Sequence, residues 1–276
     1  RVFNDLYSSP PVVDTEAAKD LPATALYDFC NAFPTMHHSW LFLVLQALQV
    51  PLVFRWIIWW FYTNVTAFSS GTGDGSFLFR VKAGVKTGCP LSDVLFLLGV
   101  NPVIDLFARL SDGPKLSVTR VCADDFGSAL RHLSILRVHA SIFKLAARTT
   151  GLHLKPEKCV LIFSLDALSP AVLQVIREWL KVNVPEFANF IIAPAGKYLG
   201  WYLGRNAVTL SFASPFSKYA TRVQEIFDGA APGAASIVKY NQQAVPVFSY
   251  HAQFSRPSKI DNFAHKEHHA IHKILH

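Results

Sequence analysis

Two adjacent carboxylates are the residues of this sequence most able to do chemistry. Asp124 and Asp125 lie in "VCADDFGSAL", residues 121–130, where apolar residues surround them and Gly127 follows. Neighbouring side chains of a strand point to opposite faces, but at a tight hairpin turn they can converge. Two ionised carboxylates brought together repel each other unless a cation lies between them, and Mg²⁺ prefers oxygen ligands. The pair therefore indicates a divalent-metal site; the alternative is a solvated turn, in which Asp is common.

A third carboxylate ends another apolar segment far away in the sequence. Asp28 closes "TALYD", and the residues around it are typical of a buried strand that ends in polar residues. If this strand runs beside the hairpin of residues 118–124, the Asp28 carboxylate meets Asp124. Such a meeting would build a two-metal site, with ions about 3.5–4 Å apart, for in-line attack at phosphorus.

Helices are predicted on both sides of these strands. Residues 37–62 are helical by length and composition, and Pro51 splits them into two pieces. Residues 84–110 become apolar on nearly every side, which predicts a helix buried all round. Ser92 is a candidate cap for that helix, and Pro102 should kink it or end its first half. The other predicted helices are residues 131–150, 170–182 and, with breaks, 214–276.

Turn residues between apolar runs predict the remaining strands. Glycines at residues 68–79 favour a hairpin, and residues 116–130 give a strand, a turn around the acidic pair and a second strand. Residues 151–163 are a turn into a strand, and residues 196–204 are a short hairpin. From Ser211 onwards the sequence is richer in Lys, Arg and His, so we place a subdomain boundary near residue 206.

One apolar run is long enough to span a bilayer, namely "LFLVLQALQVPLVFRWIIWWFY", residues 41–62. It contains Gln46, Gln49, Pro51 and a central Arg55. An arginine at the bilayer centre costs about 2.5–3.5 kcal/mol on insertion scales. The run is therefore predicted to form two buried helices of a soluble domain, with no membrane partner.

Charge and cysteine content narrow the class of protein. The formal net charge is +7 with a pI near 9.3, which suits a polyanionic partner such as nucleic acid but also an ordinary basic globular protein. The four cysteines do not form C-x-x-C pairs, and each lies within or beside an apolar run. They indicate reduced thiols and an intracellular protein, without distinguishing nucleus from cytoplasm.

Five segments, in order, resemble the blocks of a reverse transcriptase palm of the non-LTR retrotransposon type. They extend over about two thirds of the chain, and five matches in order are far more specific than any one of them. The segments are "YDFCNAF" (27–33) for D-x-x-x-A-F, "AGVKTGCPLSDVLF" (83–96) for G-V-R-Q-G-C-P-L-S, "CADD" (122–125) for x-A-D-D, "TGLHLKPEKC" (150–159) for G-L-x-L-N-x-x-K, and "GKYLG" (196–200) for K-Y-L-G.

The resemblance implies the fold class and the domains. An α+β polymerase palm, an antiparallel sheet with helices packed on it and a partial fingers region, would occupy residues 1–205. A helical, thumb-like subdomain would follow at residues 206–276. The implied activity is RNA-directed DNA polymerisation with two Mg²⁺ ions, for which Mn²⁺ can substitute. RNA template, DNA primer and deoxynucleoside triphosphate are the implied partners, and no protein partner can be inferred.

The resemblance also assigns roles to the metal-site residues. Asp28 and Asp124 would hold both metal ions with help from Asp125, and Phe29 would lend its backbone carbonyl to a metal. Lys158 would donate a proton to the departing pyrophosphate, as a general acid should; the plain alternative is a solvated lysine at a strand edge.

Other residues would contact the nucleotide and the primer by the same resemblance. Phe33 would lie under the incoming sugar and exclude a 2′-hydroxyl, although it could also be a plain core phenylalanine. Thr87 and Gly88 belong to the segment that would support the templating base and the nucleotide, with Gly88 allowing close backbone approach. Lys197 and Tyr198 would contact the primer end.

The sequence departs from the family pattern in three places. Thr87 replaces the usual Gln and is too short to keep its polar contacts, while Cys122 replaces an aromatic residue before A-D-D. Only 27 residues precede Asp28, so most of the fingers is expected to be missing. We therefore expect a truncated element or gene fragment whose metal site is intact but whose polymerase activity is poor or nil.

Two further functional alternatives stay open from the residues. The chain could be a catalytically inactive nucleic-acid-binding remnant of a retroelement, or a group II intron maturase-like protein, which shares the palm. The C-terminal "HKEHHAIHKILH" (265–276) has histidines spaced for zinc but does not match H-E-x-x-H. We favour a basic thumb helix along a nucleic-acid backbone for this segment.

Overall fold

The computed structural model describes residues 18–63, 65–69, 75–86, 88–113, 116–163, 168–256 and 262–275. The chain divides into two compact units, Arg1–Ala193 and Pro194–His276. Each unit has its own cluster of buried apolar side chains. The division into palm and thumb domains at residue 206 stays a prediction.

A five-stranded sheet organises the first unit, with the strand order β4-β5-β1-β6-β7. Neighbouring strands are antiparallel, except that β6 and β7 run parallel. The fold is therefore α+β with a mainly antiparallel sheet, as predicted. The strands are β1 (Ala23–Tyr27), β4 (Ser117–Cys122), β5 (Asp125–Leu130), β6 (Val160–Ile162) and β7 (Ile191–Ala193).

Helices of the first unit bury one apolar stripe in the same core as the central strand. In α5 (Leu136–Thr150), Leu136, Ala140 and Phe143 recur at helical spacing and are all buried. This helix packs against α4 (Ser92–Leu110). The helix predicted at residues 131–150 is confirmed, although a short 3₁₀ turn precedes it. That turn is Leu133–Ile135, and the other elements here are α6 (Pro170–Asn183) and a 3₁₀ turn at Pro185–Phe187.

The run at residues 41–62 forms two helices separated at Pro51, as predicted. These are α2 (His38–Ala47) and α3 (Leu52–Tyr62), and a short α1 (Ala32–Thr35) precedes them. The expectation that both are buried is wrong for α3, where only Ile58 and Tyr62 are buried. Among the described residues, no helix combines the length and the hydrophobicity needed to cross a membrane.

Helix α4 differs from its prediction in three details. Its cap position is Leu91, and Ser92 is instead the first helical residue, with its hydroxyl donating to the Lys86 carbonyl. Pro102 lies inside the helix, which continues to Leu110, so Pro102 does not end its first half, and the kink stays a prediction. The expectation of burial all round is wrong, because Val94 and Leu97 are about half exposed (50% and 47%).

A small two-stranded sheet follows α3. It pairs β2 (Thr66–Phe68) with β3 (Phe77–Arg80), which confirms both strands of the hairpin predicted at residues 68–79. The predicted turn at residues 70–74 lies outside the described residues.

The second unit is mainly helical after a hairpin, as predicted. The hairpin pairs β8 (Ala195–Tyr198) with β9 (Trp201–Gly204). The helices surround a core that includes Phe212, Tyr219 and Phe248. They are α7 (Ala207–Asp228), α8 (Gly233–Lys239), a π turn (Tyr240–Ala244), a 3₁₀ turn (Val245–Phe248), α9 (Ser249–Ala252) and α10 (Phe263–Leu275).

Candidate functional site

Strand register brings the three carboxylates to the same end of neighbouring strands, a place called the sheet edge below. Strand β1 pairs with β5 antiparallel and ends with Tyr27 opposite Phe126. Asp28 follows β1 directly, while Asp125 is the first residue of β5. Because the antiparallel strands alternate in direction, the end of β1 and the tip of the β4–β5 hairpin lie at the same edge. Residues almost a hundred positions apart in the sequence thus become neighbours.

The charges of these carboxylates act on each other. The pKa of Asp125 is raised, first because partial burial disfavours its charged form and then because Asp124 and Asp28 repel a further negative charge. Asp125 is exposed, whereas Asp28 and Asp124 are half-buried. A cation at this edge would relieve the repulsion, so the electrostatics suit a positively charged ligand.

The hairpin tip is a two-residue turn. Cys122 pairs with Asp125, so Ala123 and Asp124 form the turn between the strands. Ala123 has φ 54°, in the left-handed region, which costs an L-residue about 1–2 kcal/mol. The turn therefore holds Asp124 at the edge of the sheet through a backbone conformation that is unfavourable by itself.

A second segment of the chain fixes the backbone of Asp28 from the other side. The Lys155 amide donates to the Asp28 carbonyl at 2.8 Å, and the Asp28 amide donates to Cys159 Sγ at 3.3 Å. The Cys30 amide donates to the His153 carbonyl at 2.8 Å. These bonds lie between the predicted D-x-x-x-A-F and G-L-x-L-N-x-x-K segments, so the two motifs are one structural unit.

Lys158 occupies the exposed turn of this second segment. Its amide donates to the Lys155 carbonyl at 2.9 Å, and its side chain is exposed. The turn therefore begins at the residue whose amide holds Asp28. The role of Lys158 as a general acid stays a prediction.

Two aromatic residues follow Asp28. Phe29 is buried, and its ring meets Phe126 edge-on at 5.3 Å between centroids. Phe29 pairs with Leu154 in an isolated antiparallel bridge, whose hydrogen bonds are made by the residues on either side of the pair. The Phe29 carbonyl takes no part in those bonds. Phe33 is half-buried and stacks on Phe96 at 4.2 Å between ring centroids. The aromatic packing fixes both rings, and their predicted roles with metal and sugar remain predictions.

The glycine-containing segment after residue 83 is held against α1. Gly84 donates to the Met36 carbonyl at 2.7 Å, and Val85 donates to the Phe33 carbonyl at 2.9 Å. Gly88 has φ 84° and is exposed, and apart from its chain neighbours no atom of the described residues lies within 4 Å of a Cβ built there. Gly88 is thus open to an approaching ligand, whereas Thr87 lies outside the described residues.

Lys197 and Tyr198 belong to the second unit, in strand β8 of its hairpin. Lys197 pairs with Tyr202 across the hairpin and has an exposed side chain, while Tyr198 pairs with Trp201 and is half-buried. The hairpin predicted for this segment is confirmed. Contact with a primer stays a prediction for both residues.

A preformed metal cluster is not found among the described residues, where no three His, Cys, Asp or Glu side chains form a group that could hold a metal ion. Asp124 and Asp28 act electrostatically on Asp125, but the three carboxylates do not form such a group. Their assignment as metal ligands stays a prediction.

Sequence reasoning missed two residues that support the site from below. Cys159 is buried, and this burial raises the pKa of its thiol to about 12, so it contacts the Asp28 backbone as a neutral group. His139 Nδ1 lies 2.6 Å from the Tyr27 hydroxyl, beneath the end of β1. Burial lowers the pKa of His139 to about 3. The only sequence signal for either residue was a polar side chain among apolar neighbours.

Comparison with known proteins adds to this geometry. A search of curated proteins found no match. Among solved structures, apo telomerase from Candida tropicalis, truncated from its C-terminal domain, matches with TM-score 0.42 and 14% identity over 70% of this chain and 36% of that chain. Telomerase from Candida albicans, in complex with a TWJ fragment of telomeric RNA, matches with TM-score 0.42 and 10% identity over 92% and 44%.

This chain therefore spans less than half of either telomerase chain. The model of one protein family, described as reverse transcriptase (RNA-dependent DNA polymerase), matches residues 11–203. That range contains all three carboxylates, the segment that holds Asp28 and most of the β8–β9 hairpin. With well over half of its residues matched, the chain belongs to the reverse transcriptase family.

Proposed function

We propose that the chain is an RNA-directed DNA polymerase of the non-LTR retrotransposon type, which extends a DNA primer with deoxynucleoside triphosphates on an RNA template. The observation that carries the proposal is the pairing of β1 with β5, which puts Asp28 at the same sheet edge as the Asp124–Asp125 turn, inside the region that matches the family. Phosphoryl transfer depends mainly on positioning and charge neutralisation, which is what a carboxylate edge of this kind can supply.

The donor atoms at this edge suit hard divalent cations. Asp28 and Asp124, with Asp125 and the Phe29 carbonyl, would hold two Mg²⁺ ions, and Mn²⁺ could replace them. The pKa of Asp125 is raised first by burial and then by the charges of Asp124 and Asp28, and such ions would neutralise those charges. When bound, the ions would stabilise the charge that develops on the transferring phosphate.

The chain's own residues would orient the substrates. Lys158, exposed on the turn that holds Asp28, would give a proton to pyrophosphate. Phe33, fixed by stacking on Phe96, would block a 2′-hydroxyl on the incoming sugar. The backbone at Gly88 would approach the nucleotide closely, because among the described residues nothing beyond its chain neighbours lies within 4 Å of a Cβ built there, and Thr87 would contribute from the next position.

The remaining parts would act on the nucleic acid. In this proposal the mainly antiparallel sheet with its helices is the palm, and the helical second unit is the thumb. Lys197 and Tyr198 would contact the primer end from the β8–β9 hairpin. The excess positive charge of the chain supports a polyanionic partner.

A second candidate function is a nucleic-acid-binding remnant without turnover. The observation that favours it is that no three metal-ligating side chains converge within the described part of the chain. Such a protein would keep fold and charge but would not extend a primer.

Primer extension separates the two functions. The full chain, an annealed RNA template with DNA primer, dNTPs and Mg²⁺ would be compared with Asp28→Asn and Asp124→Asn. We expect each variant to lower the extension rate roughly 100-fold or more, because each removes a carboxylate at the sheet edge. Asp105→Asn is the matched control, since Asp105 is an exposed carboxylate in the middle of α4.

Each outcome of this experiment decides between the candidates. Extension by the parent and by Asp105→Asn, but by neither site variant, supports the polymerase. Binding of the template–primer without extension by any of the four proteins supports the remnant. Equal extension by the parent and both site variants contradicts the assigned carboxylates.

A further inference from the structure

Helix α10 carries four histidines on its exposed face. His265, His268, His269 and His272 are spaced three and four residues apart, which places them on one side of the helix. All four are exposed, while Ala270 and Ile274 bury the opposite side. The same four histidines, with Phe227 and Lys273, line one open cavity of about 670 Å³. The histidine face is thus a formed, accessible surface that the polymerase proposal does not use.

Two of these rings are already close to each other. The ring centroids of His268 and His272 are 5.9 Å apart, with an angle of 42° between the ring planes. A metal–imidazole bond is about 2.0–2.1 Å long, and each ring adds its own radius, so two rings on one ion have centroids about 4.5–6 Å apart. The separation of the two rings is therefore already within the range that one bound ion requires.

We propose that His268 and His272 form a binding site for a borderline transition-metal ion, of the class Zn²⁺, Ni²⁺ and Cu²⁺. Imidazole nitrogen is a preferred ligand of these ions, and two histidines at positions i and i+4 on one helix can chelate. No three ligating side chains converge in the described residues, so water completes the coordination sphere.

The surrounding charges leave room for a cation. Lys273, the lysine of this cavity, lies over the Phe227 ring at 5.1 Å from the ammonium to the centroid and donates to Gln224 Oε1. Lys266 lies over the Phe216 ring at 4.9 Å. Both ammonium groups are thus engaged by aromatic rings of the second unit, although they still lower the affinity for a cation.

The site differs in chemistry from the sheet edge of the first unit. Carboxylates bind Mg²⁺, whereas Mg²⁺ has little affinity for neutral imidazole. The inference is therefore independent of the polymerase proposal, and either can fail without the other. A polyanion on the same face is the competing use, and the same variants distinguish it.

Equilibrium dialysis of the full chain, with any affinity tag removed, tests the site with NiCl₂ as the probe in excess MgCl₂. We expect Ni²⁺ binding by the parent and at least about tenfold weaker binding by the double variant His268→Gln/His272→Gln, because the chelating pair is lost. Far-ultraviolet circular dichroism checks that the variant keeps its helices. The matched control His265→Gln retains the pair and should keep most of the affinity.

Lys273→Gln separates a cation site from an anion site. Removal of this ammonium group should leave the affinity for Ni²⁺ unchanged or raise it. The same change should lower the affinity for a polyanion. Absence of Ni²⁺ binding by the parent overturns the proposal. So does equal binding by the parent and by His268→Gln/His272→Gln, since the metal would then be held elsewhere.

Discussion

The Asp125 carboxylate holds its proton more readily than an isolated aspartate, because partial burial and two neighbouring carboxylates all disfavour its charge. The same sheet edge contains Ala123 in a left-handed conformation and a thiol, Cys159, with a pKa raised to about 12. The ionisation of these side chains thus depends on their neighbours in space as well as on their residue type. The Tyr27–His139 contact under β1 offers a direct test of that view.

We predict that His139 makes stability fall in acid. Burial lowers the pKa of His139 to about 3, against 6.5 for the free side chain. Below pH 6.5 the His139 imidazole binds a proton in the unfolded chain but not in the native protein. The free energy of unfolding therefore falls as pH drops from 6.5 toward 3. The contribution of this group approaches about 1.4 kcal/mol per pH unit. Urea unfolding at a series of pH values measures the slope.

The variant His139→Gln should flatten this dependence even if it lowers stability at every pH. His153→Gln, at an exposed position, is the matched control and should keep the slope of the parent. Equal slopes in the parent and in His139→Gln would mean that another group causes the acid sensitivity.

At the scale of elements, two features position the helices. One is close contact between backbone segments, and the other is which apolar helix faces are buried by the rest of the chain. Helix α3 shows the second point, because Val53 and Trp60 are each 68% exposed although the helix is strongly apolar. An exposed apolar face of this size marks an interaction surface or an aggregation liability. Gly151, where α5 ends, shows the first point.

We predict that Gly151→Ala costs about 2–3 kcal/mol of unfolding free energy. Gly151 has φ 82°, and a Cβ built there would lie 2.4 Å from the Thr35 carbonyl oxygen. An alanine would thus add a backbone clash to the strain of a left-handed conformation. Gly88→Ala is the matched control, because φ is 84° there but, in the part of the chain that the structure describes, a Cβ would meet nothing within 4 Å beyond its chain neighbours. It should cost only about 1–2 kcal/mol in the same urea titration.

A similar loss of stability in both variants would show that backbone strain alone accounts for Gly151. A clearly larger loss in Gly151→Ala would show that the G-L-x-L segment must pack directly on the end of α1. The second result is the one we expect.

On the scale of the whole molecule, positive charge is concentrated in the second unit. Pro194–His276 has nine Lys and Arg against four acidic residues, whereas the first unit has 17 against 15. A protein that binds phosphates through these cations releases counterions, so its affinity falls as salt rises. If the chain binds nucleic acid as proposed, the charge distribution predicts that the second unit provides most of the electrostatic attraction.

We predict that the double variant Lys197→Gln/Lys218→Gln weakens RNA–DNA binding and makes its salt dependence shallower. Both side chains are exposed in the second unit. Each lost phosphate contact lowers the slope of log K against log salt by about 0.9. Fluorescence anisotropy at several KCl concentrations measures this slope.

Arg109→Gln/Arg148→Gln removes the same amount of charge from exposed positions of the first unit and is the matched control. It should leave the slope almost unchanged. If both double variants lower the slope equally, net charge alone, and no local contact, drives binding.

Local features of the sequence predicted much of this structure. The apolar run that ends in Asp28, the turn at Asp124 and the break at Pro51 all specify elements through short-range preferences, and the structure has a strand, a hairpin and a helix boundary there. The order of five motifs predicted the reverse transcriptase family. These properties depend on residues close together in the chain, so they can be predicted from the sequence without knowing the tertiary structure.

Only the tertiary structure decided which distant residues meet. The pairing of Tyr27 with Phe126, and the contact of Cys159 with the Asp28 backbone, depend on strand register, which no local preference sets. The exposure of α3 and of half of α4 was missed for the same reason. Hydrophobicity states what a side chain would gain from burial, but the packing of the whole chain decides which apolar faces are covered.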